Sequence, residues 1–274
     1  MLDRLRTGAR DKLVRVVEEV VGREVADLRR HVDAAAAEAA RRDGELREQV
    51  SELRQALDDL QRRQRRDLDV AMDWQAAHST VDFISAELPP VVVTGHAHDT
   101  LRHGLAHAPE DGMALEFGVA TGTTLGIIVE ARKGGQVFGF DSFAGLPETW
   151  RSRFEAGEFA RDEIPRVEGA ELVVGLFSDT LPGFLAEHEG PVAFLHLDAD
   201  LYSSTRTVLE QVGPRLVAGT VVVFDEYFNY PGWQEHEHKA WREHVERTGL
   251  EFEYLAYTHD DEQLVIRVTS TGGG

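Results

Sequence analysis

Two apolar runs in this sequence end in acids. Val192-Ala-Phe-Leu-His-Leu leads into Asp198-Ala-Asp200, and Thr220-Val-Val-Val-Phe leads into Asp225-Glu226. A buried strand that stops at carboxylates delivers them to the carboxyl edge of a sheet, where open α/β folds bind ligands. Acids converging there repel one another and lose hydration, and a divalent cation offsets both. Oxygen donors in a chain with no cysteine favour Mg²⁺, Ca²⁺ or Mn²⁺ over zinc. Such an ion lowers the pKa of a bound hydroxyl, and Asp198 is the residue placed to accept the proton. Three neighbours are read more plainly. Asp200 is expected to cap the helix that starts near Ser203 or to support the site from behind. His196 reads as a satisfied core histidine. His236 and His238 read as part of a solvated helix face, within a Phe228–His238 segment expected to shape the substrate site.

A second set of residues suits a nucleoside-bearing cofactor. Leu115-Glu-Phe-Gly-Val-Ala-Thr-Gly122 follows an apolar run and opens a helical stretch. Its glycines permit a tight turn and close backbone approach to a ligand. The next run ends in Asp141, 19 residues beyond Gly122. An acid at that strand tip can accept both hydroxyls of a ribose. The Gly-x-x-x-Gly spacing is not the dinucleotide fingerprint, and Glu116 would repel an approaching pyrophosphate. A cofactor carrying a cationic ammonium fits better.

The elements that must position these groups follow from periodicity. Strand-length apolar runs occur at Met113–Phe117, Val137–Phe140, Leu172–Val174, Val192–Leu197, Val221–Phe224, Phe252–Tyr257 and Leu264–Val268, with helix-length segments between the first five. This alternation predicts a parallel sheet covered on both faces. Only Thr258–Gln263 separates the last two runs, so one strand near the end must be antiparallel. Upstream, Val25, Val32, Ala39, Leu46, Leu53 and Leu60 recur every seven residues. Val21, Leu28 and Ala35 flank the first half of this seam, and Val50 and Leu57 the second. A repeat sustained over about five heptads predicts a coiled coil and a homo-oligomer, spanning roughly 54 Å at the rise of an α-helix. The predicted division is a helical oligomerisation region at 1–72 and an α/β domain at 73–270.

Charge is divided in the same way. Residues 1–66 hold 16 Lys and Arg against 14 Asp and Glu, while the whole chain of 274 residues has a net charge of −20. The globular part is therefore strongly acidic, which argues against nucleic acid as a partner. No apolar run approaches the ~20 residues of a membrane helix. Met1–Arg15 lacks the apolar centre of a signal peptide. The expected setting is cytoplasmic, with no transmembrane segment.

Five ordered segments carry a family resemblance: Leu115–Gly122, Gly139-Phe-Asp-Ser-Phe-Ala-Gly-Leu-Pro147, Gly175-Leu-Phe-Ser-Asp-Thr-Leu-Pro182, Leu197-Asp-Ala-Asp-Leu-Tyr-Ser-Ser-Thr205 and Val223-Phe-Asp-Glu-Tyr227. Residues 80–268 resemble class I S-adenosylmethionine methyltransferases, and within them the macrocin O-methyltransferase family. The resemblance implies a Rossmann-like seven-stranded sheet with one antiparallel strand, and Mg²⁺-dependent methylation of a hydroxyl on a small-molecule or glycan acceptor, often a natural-product sugar. It implies that Glu116, Phe117, Gly118, Val119, Thr121 and Gly122 form the methionine side of the cofactor site. Asp141 and Ser142 would hold the ribose, and Phe177 and Ser178 would border the adenine. Asp198, Asp225 and Glu226 would hold the metal. Glu226 departs from the family pattern, where an aspartate is usual. Two other readings stay open: a metal-dependent glycosyltransferase, since Asp198-Ala-Asp200 is also an Asp-x-Asp motif, and a non-catalytic coiled-coil assembly module with a retained cofactor fold.

Overall fold

The computed structural model describes residues 2–272, without the side chains of residues 2–9 and 11. The chain forms two compact units, 1–67 and 68–274. The first unit is one helix, α1 (Leu2–Arg66). Its seam residues stand in solvent, among them Val25, Leu28, Val32, Leu46, Leu53 and Leu60. Ion pairs such as Arg41–Glu45 and Arg47–Asp43 link successive turns of its polar surface, each worth only a few tenths of a kcal/mol.

The second unit opens with α2 (Leu68–Glu87) and the short strand β1 (Val92–Thr94). It continues through α3 (Ala97–His107), β2 (Met113–Phe117), α4 (Thr123–Ala131), β3 (Val137–Asp141), β4 (Glu171–Val174), α5 (Phe177–Glu187), β5 (Val192–Leu197), α6 (Tyr202–Val212), β6 (Leu216–Phe224), α7 (Glu237–Thr248), β7 (Glu251–Thr258) and β8 (Leu264–Ser270). The strands form one sheet in the order β1-β7-β8-β6-β5-β2-β3-β4. All neighbours run parallel except at β8, which is antiparallel to both β6 and β7.

The sheet has eight strands where seven are expected. The addition is β1, three residues hydrogen-bonded in parallel to Ala256–Thr258. Val92 and Val93 are about half exposed. A short edge strand held by its backbone leaves no buried apolar run to detect.

Residues β2, β5 and the second half of β6 are buried on both faces, as central parallel strands must be. Alternation then sorts their side chains. Leu115, Phe117, Leu195, Leu197, Val222 and Phe224 face the core under α2, α5, α6 and α7. Ala114, Phe194, Val221 and Val223 face α3 and α4. The strands thus end together, and their carboxyl tips share one edge. Backbone bonds hold the central tips in register: Asp198 N–H donates to Phe117 O (2.9 Å) and Asp225 N–H donates to Leu197 O (2.8 Å).

Candidate active site

The loops beyond that edge surround a cavity of about 630 Å³. They are conformationally unusual. Ala120, Phe143, Arg153, Phe159, Asp200 and Asn229 are the non-glycine residues with positive φ among the described residues, and all lie in the loops after β2, β3, β5 and β6. Backbone strain of this kind concentrates where a loop shape is held for a purpose.

One end of the cavity is built by the turn between β2 and α4. Gly118 has φ +97°, and a Cβ there would lie 1.8 Å from the carbonyl oxygen of Asp198. Only glycine permits the two strand tips to approach so closely. Asp141, at the tip of β3, fastens the turn from the other side. Its Oδ2 accepts the amides of Val119 and Ala120, each at 2.9 Å, and its Oδ1 accepts the amide of Phe143 at 2.7 Å. The carboxylate both lines the cavity and shapes its wall.

Of the residues read from the sequence as cofactor ligands, Gly118, Asp141, Ser142, Phe177 and Ser178 line this cavity. Glu116, Phe117, Val119, Thr121 and Gly122 stand behind it or beside it. Phe117 stacks on Phe140 in the core and meets Phe177 edge-on. Val119 is buried against α4, and Gly122 caps that helix with φ +78°. Thr121 is exposed and bonded to Thr123. Glu116 is fully buried, and its Oε1 lies 2.9 Å from His196 Nδ1. Burial raises the pKa of Glu116, opposed by the bond to His196.

The acids gather in the same cavity, at the tips of β5 and β6. Oxygens of Asp198, Asp200 and Glu226 all lie within 4.8 Å of one another. Burial, then the charge of Asp225, pushes the pKa of Asp198 well above its usual value. Glu226 is raised well above its ordinary range for the same reasons. Asp200 is pushed to about 7 by burial, partly opposed by Arg151. Crowded carboxylates of this kind take up protons or a cation.

Asp225 is placed differently. Its Oδ1 faces His196 Nε2 at 3.6 Å, on the opposite side of the imidazole from Glu116. Burial raises its pKa, but the neighbouring His196 imidazole outweighs that and leaves it lowered. The imidazole, whose own pKa burial lowers but these two acids raise further, ends well above 6.5. Asp225 therefore adjoins the acid group while its charge is balanced within the sheet.

Three sequence expectations change here. Asp200 joins the acid group, and α6 begins without a side-chain cap. His236 and His238 are partly buried, not on a solvated face; His238 packs edge-on against Phe83 and Trp233. Phe228, Tyr230 and Trp233 are core residues and do not line the cavity. The wall opposite the strand tips comes instead from the long loop after β3, through Trp150, Arg151, Phe154 and Phe159. Arg151 is the cation of this wall. It lies over the rings of Trp150 and Tyr230 and pairs with Glu262 at 3.1 Å.

The donor set fits a hard divalent ion. It offers oxygen atoms only, and Glu226 Oε2 is buried without a hydrogen-bond partner.

Residues 115–227, the stretch from the glycine turn to the acids after β6, match the family model of a methyltransferase domain. A curated relative, the 8-demethyl-8-(2,3-dimethoxy-alpha-L-rhamnosyl)-tetracenomycin-C 4'-O-methyltransferase of Streptomyces olivaceus, is 38% identical over 80 residues, which is 29% of this chain and 27% of that protein. The match thus spans about a quarter of the relative's length. Among solved structures, the calicheamicin methyltransferase CalS11 is 25% identical with a TM-score of 0.48, covering 69% of this chain and 79% of that one. The O-methyltransferase NovP is 22% identical with a TM-score of 0.46, covering 62% and 78%.

Proposed function

We propose that this protein transfers the methyl group of S-adenosylmethionine to a hydroxyl of a sugar or glycosylated natural product, at a site that holds a divalent cation. The observation that carries this reading is the meeting of three carboxylates, the part-buried Asp198 and the buried Asp200 and Glu226, in the same cavity as the Gly118–Asp141 wall. The methyltransferase-domain match over 115–227 and the sugar O-methyltransferase among the relatives support the choice of reaction and acceptor.

The cofactor supplies an electrophilic methyl when bound, and Gly118, Asp141, Ser142, Phe177 and Ser178 are the residues to hold it. Asp198, Asp200 and Glu226 would hold Mg²⁺ or a similar ion, which lowers the pKa of a neighbouring hydroxyl. Asp198 is the base. It lines the cavity within the acid group, so it can take the proton of a hydroxyl held there. Trp150, Phe154 and Phe159 give the acceptor an apolar wall and exclude water. Holding two substrates in line is worth about 7–11 kcal/mol in reactions of this type. The helix of residues 2–66 is proposed to form a homo-oligomeric coiled coil, supported by its exposed seam of apolar residues repeating every seven.

Calorimetry and labelled methyl transfer test the assignment together. S-adenosylhomocysteine should bind at micromolar strength while UDP-sugars do not, and EDTA should suppress methylation of glycosylated acceptors. Binding of the nucleotide sugar without the sulfur compound would end this reading in favour of glycosyl transfer.

A further inference from the structure

Glu237 is the first residue of α7 and is fully buried. Both its carboxylate oxygens accept backbone amides: Oε1 that of Ala199 at 3.4 Å, and Oε2 that of Glu226 at 3.2 Å. These two amides belong to the two loops that carry the acids. Ala199 sits between Asp198 and Asp200, and Glu226 is itself a member of the group. At the strand ends the two tips are joined directly by Asp225 N–H donating to Leu197 O. Beyond it, Glu237 bridges the loops from outside the sheet.

We propose that Glu237 is a positioning residue that sets the separation of Asp198 and Asp200 from Glu226, and through it the affinity of that group for a divalent cation. This rests on reading the group as a cation site.

The residue type supports the assignment. A purely structural bridge between two amides beside three acids would avoid a fourth negative charge. A carboxylate is nevertheless the side chain with two acceptor oxygens and no donor, so one group can receive both N–H bonds. Its position in the first turn of α7 places it at the positive end of the helix dipole, which favours its charge. Burial, followed by the charges of Asp200 and Asp225, raises its pKa, opposed by the two amide bonds. A glutamine at this position would turn its NH₂ toward one of the amides and lose that bond.

The test uses the full-length protein, with Mn²⁺ as the probe. Glu237→Gln should weaken Mn²⁺ binding about 10- to 100-fold by calorimetry, the usual effect of losing a group that orients metal ligands. S-adenosylhomocysteine affinity and the melting temperature should stay near wild type. Unchanged Mn²⁺ affinity in a folded variant would overturn the proposal. Parallel loss of cofactor affinity and thermal stability would also overturn it, by marking Glu237 as a general scaffold residue. Wild-type protein that binds no Mn²⁺ would remove the cation reading itself, and this inference with it. If Glu237→Gln does not fold, Glu237→Asp keeps the charge but is too short to reach both amides, and the same loss of Mn²⁺ affinity is expected. Failure of both variants to fold would make the residue a folding determinant and reject the positioning role.

Discussion

Asp200 and Asp225 are two acids at strand tips whose surroundings separate them. Asp225 faces an imidazole that is pinned on its far side by Glu116, whereas Asp200 faces Asp198 and Glu226. Asp200 holds a φ of +58°, a region that aspartate tolerates better than most side chains. This difference gives an ordering that Mn²⁺ titration can read. Asp200→Asn should weaken Mn²⁺ binding at least about tenfold, and more than Asp225→Asn does; the reverse order would restore Asp225 as the ligand. Asp198→Ala should lower methyl transfer by about 10²–10⁴, the range of a general base. It should leave the circular dichroism spectrum and S-adenosylhomocysteine binding unchanged. Undiminished turnover would remove Asp198 from the chemistry.

Elements set these contacts through their ends. The turn from β2 into α4 passes so close to the tip of β5 that a methyl at Gly118 would overlap the Asp198 carbonyl, on a backbone that side chains rarely adopt. Gly118→Ala should therefore cost about 2–4 kcal/mol by urea denaturation, from strain and overpacking together. On α7, burial and the nearby Arg247 lower the pKa of His244 to about 4. It is 3% exposed, stacks on Trp241, and receives a hydrogen bond from Arg247 at Nδ1. The unfolded chain binds this proton near pH 6.5 and the folded chain does not until about pH 4. The resulting stability is present above pH 6.5 and is lost as pH falls through that window, by up to roughly 3 kcal/mol. Asp200 and Glu262, raised to about 7 by burial, titrate in the opposite sense, so the effect is read as a difference. Between pH 7 and pH 5, His244→Gln should lose about 1–2 kcal/mol less stability than wild type. An equal loss would show that His244 is protonated in the folded protein.

For the whole molecule, the contrast lies between the acidic α/β unit and the helix of residues 2–66. That helix has a seam of valines and leucines open to solvent, which favours association, since each buried leucine contributes about 1.5–3 kcal/mol. The seam's inner partners change from Val21, Leu28 and Ala35 to Val50 and Leu57, so the proposed coiled coil would change its packing near Gly44. Deleting residues 1–66 should lower the mass seen by light scattering to that of a smaller oligomer or monomer. S-adenosylhomocysteine binding should survive, because the cavity is lined by residues 118–226. An unchanged oligomer number would place the association surface elsewhere. Within the α/β unit, Arg153 pairs with Asp69 of α2 and Arg151 with Glu262 of the loop between β7 and β8. The loop after β3 is thus tied at two points over the cavity.

The sequence alone determined the parallel sheet with its reversed strand, the glycine turn and the presence of acids at two neighbouring strand tips. Each of these is written in local patterns: runs of buried residues, a hairpin-length gap, and glycine where φ must be positive. It could not determine which oxygens meet. Asp200 lies with Asp198 and Glu226, while Asp225 faces His196, two residues before Asp198, across the sheet at 3.6 Å. Glu237 reaches the site from a helix 11 residues beyond Glu226, and β1 is held through backbone bonds that carry no side-chain pattern. Such pairings depend on strand order and on the direction each side chain takes from its strand, and both exist only once the sheet has assembled.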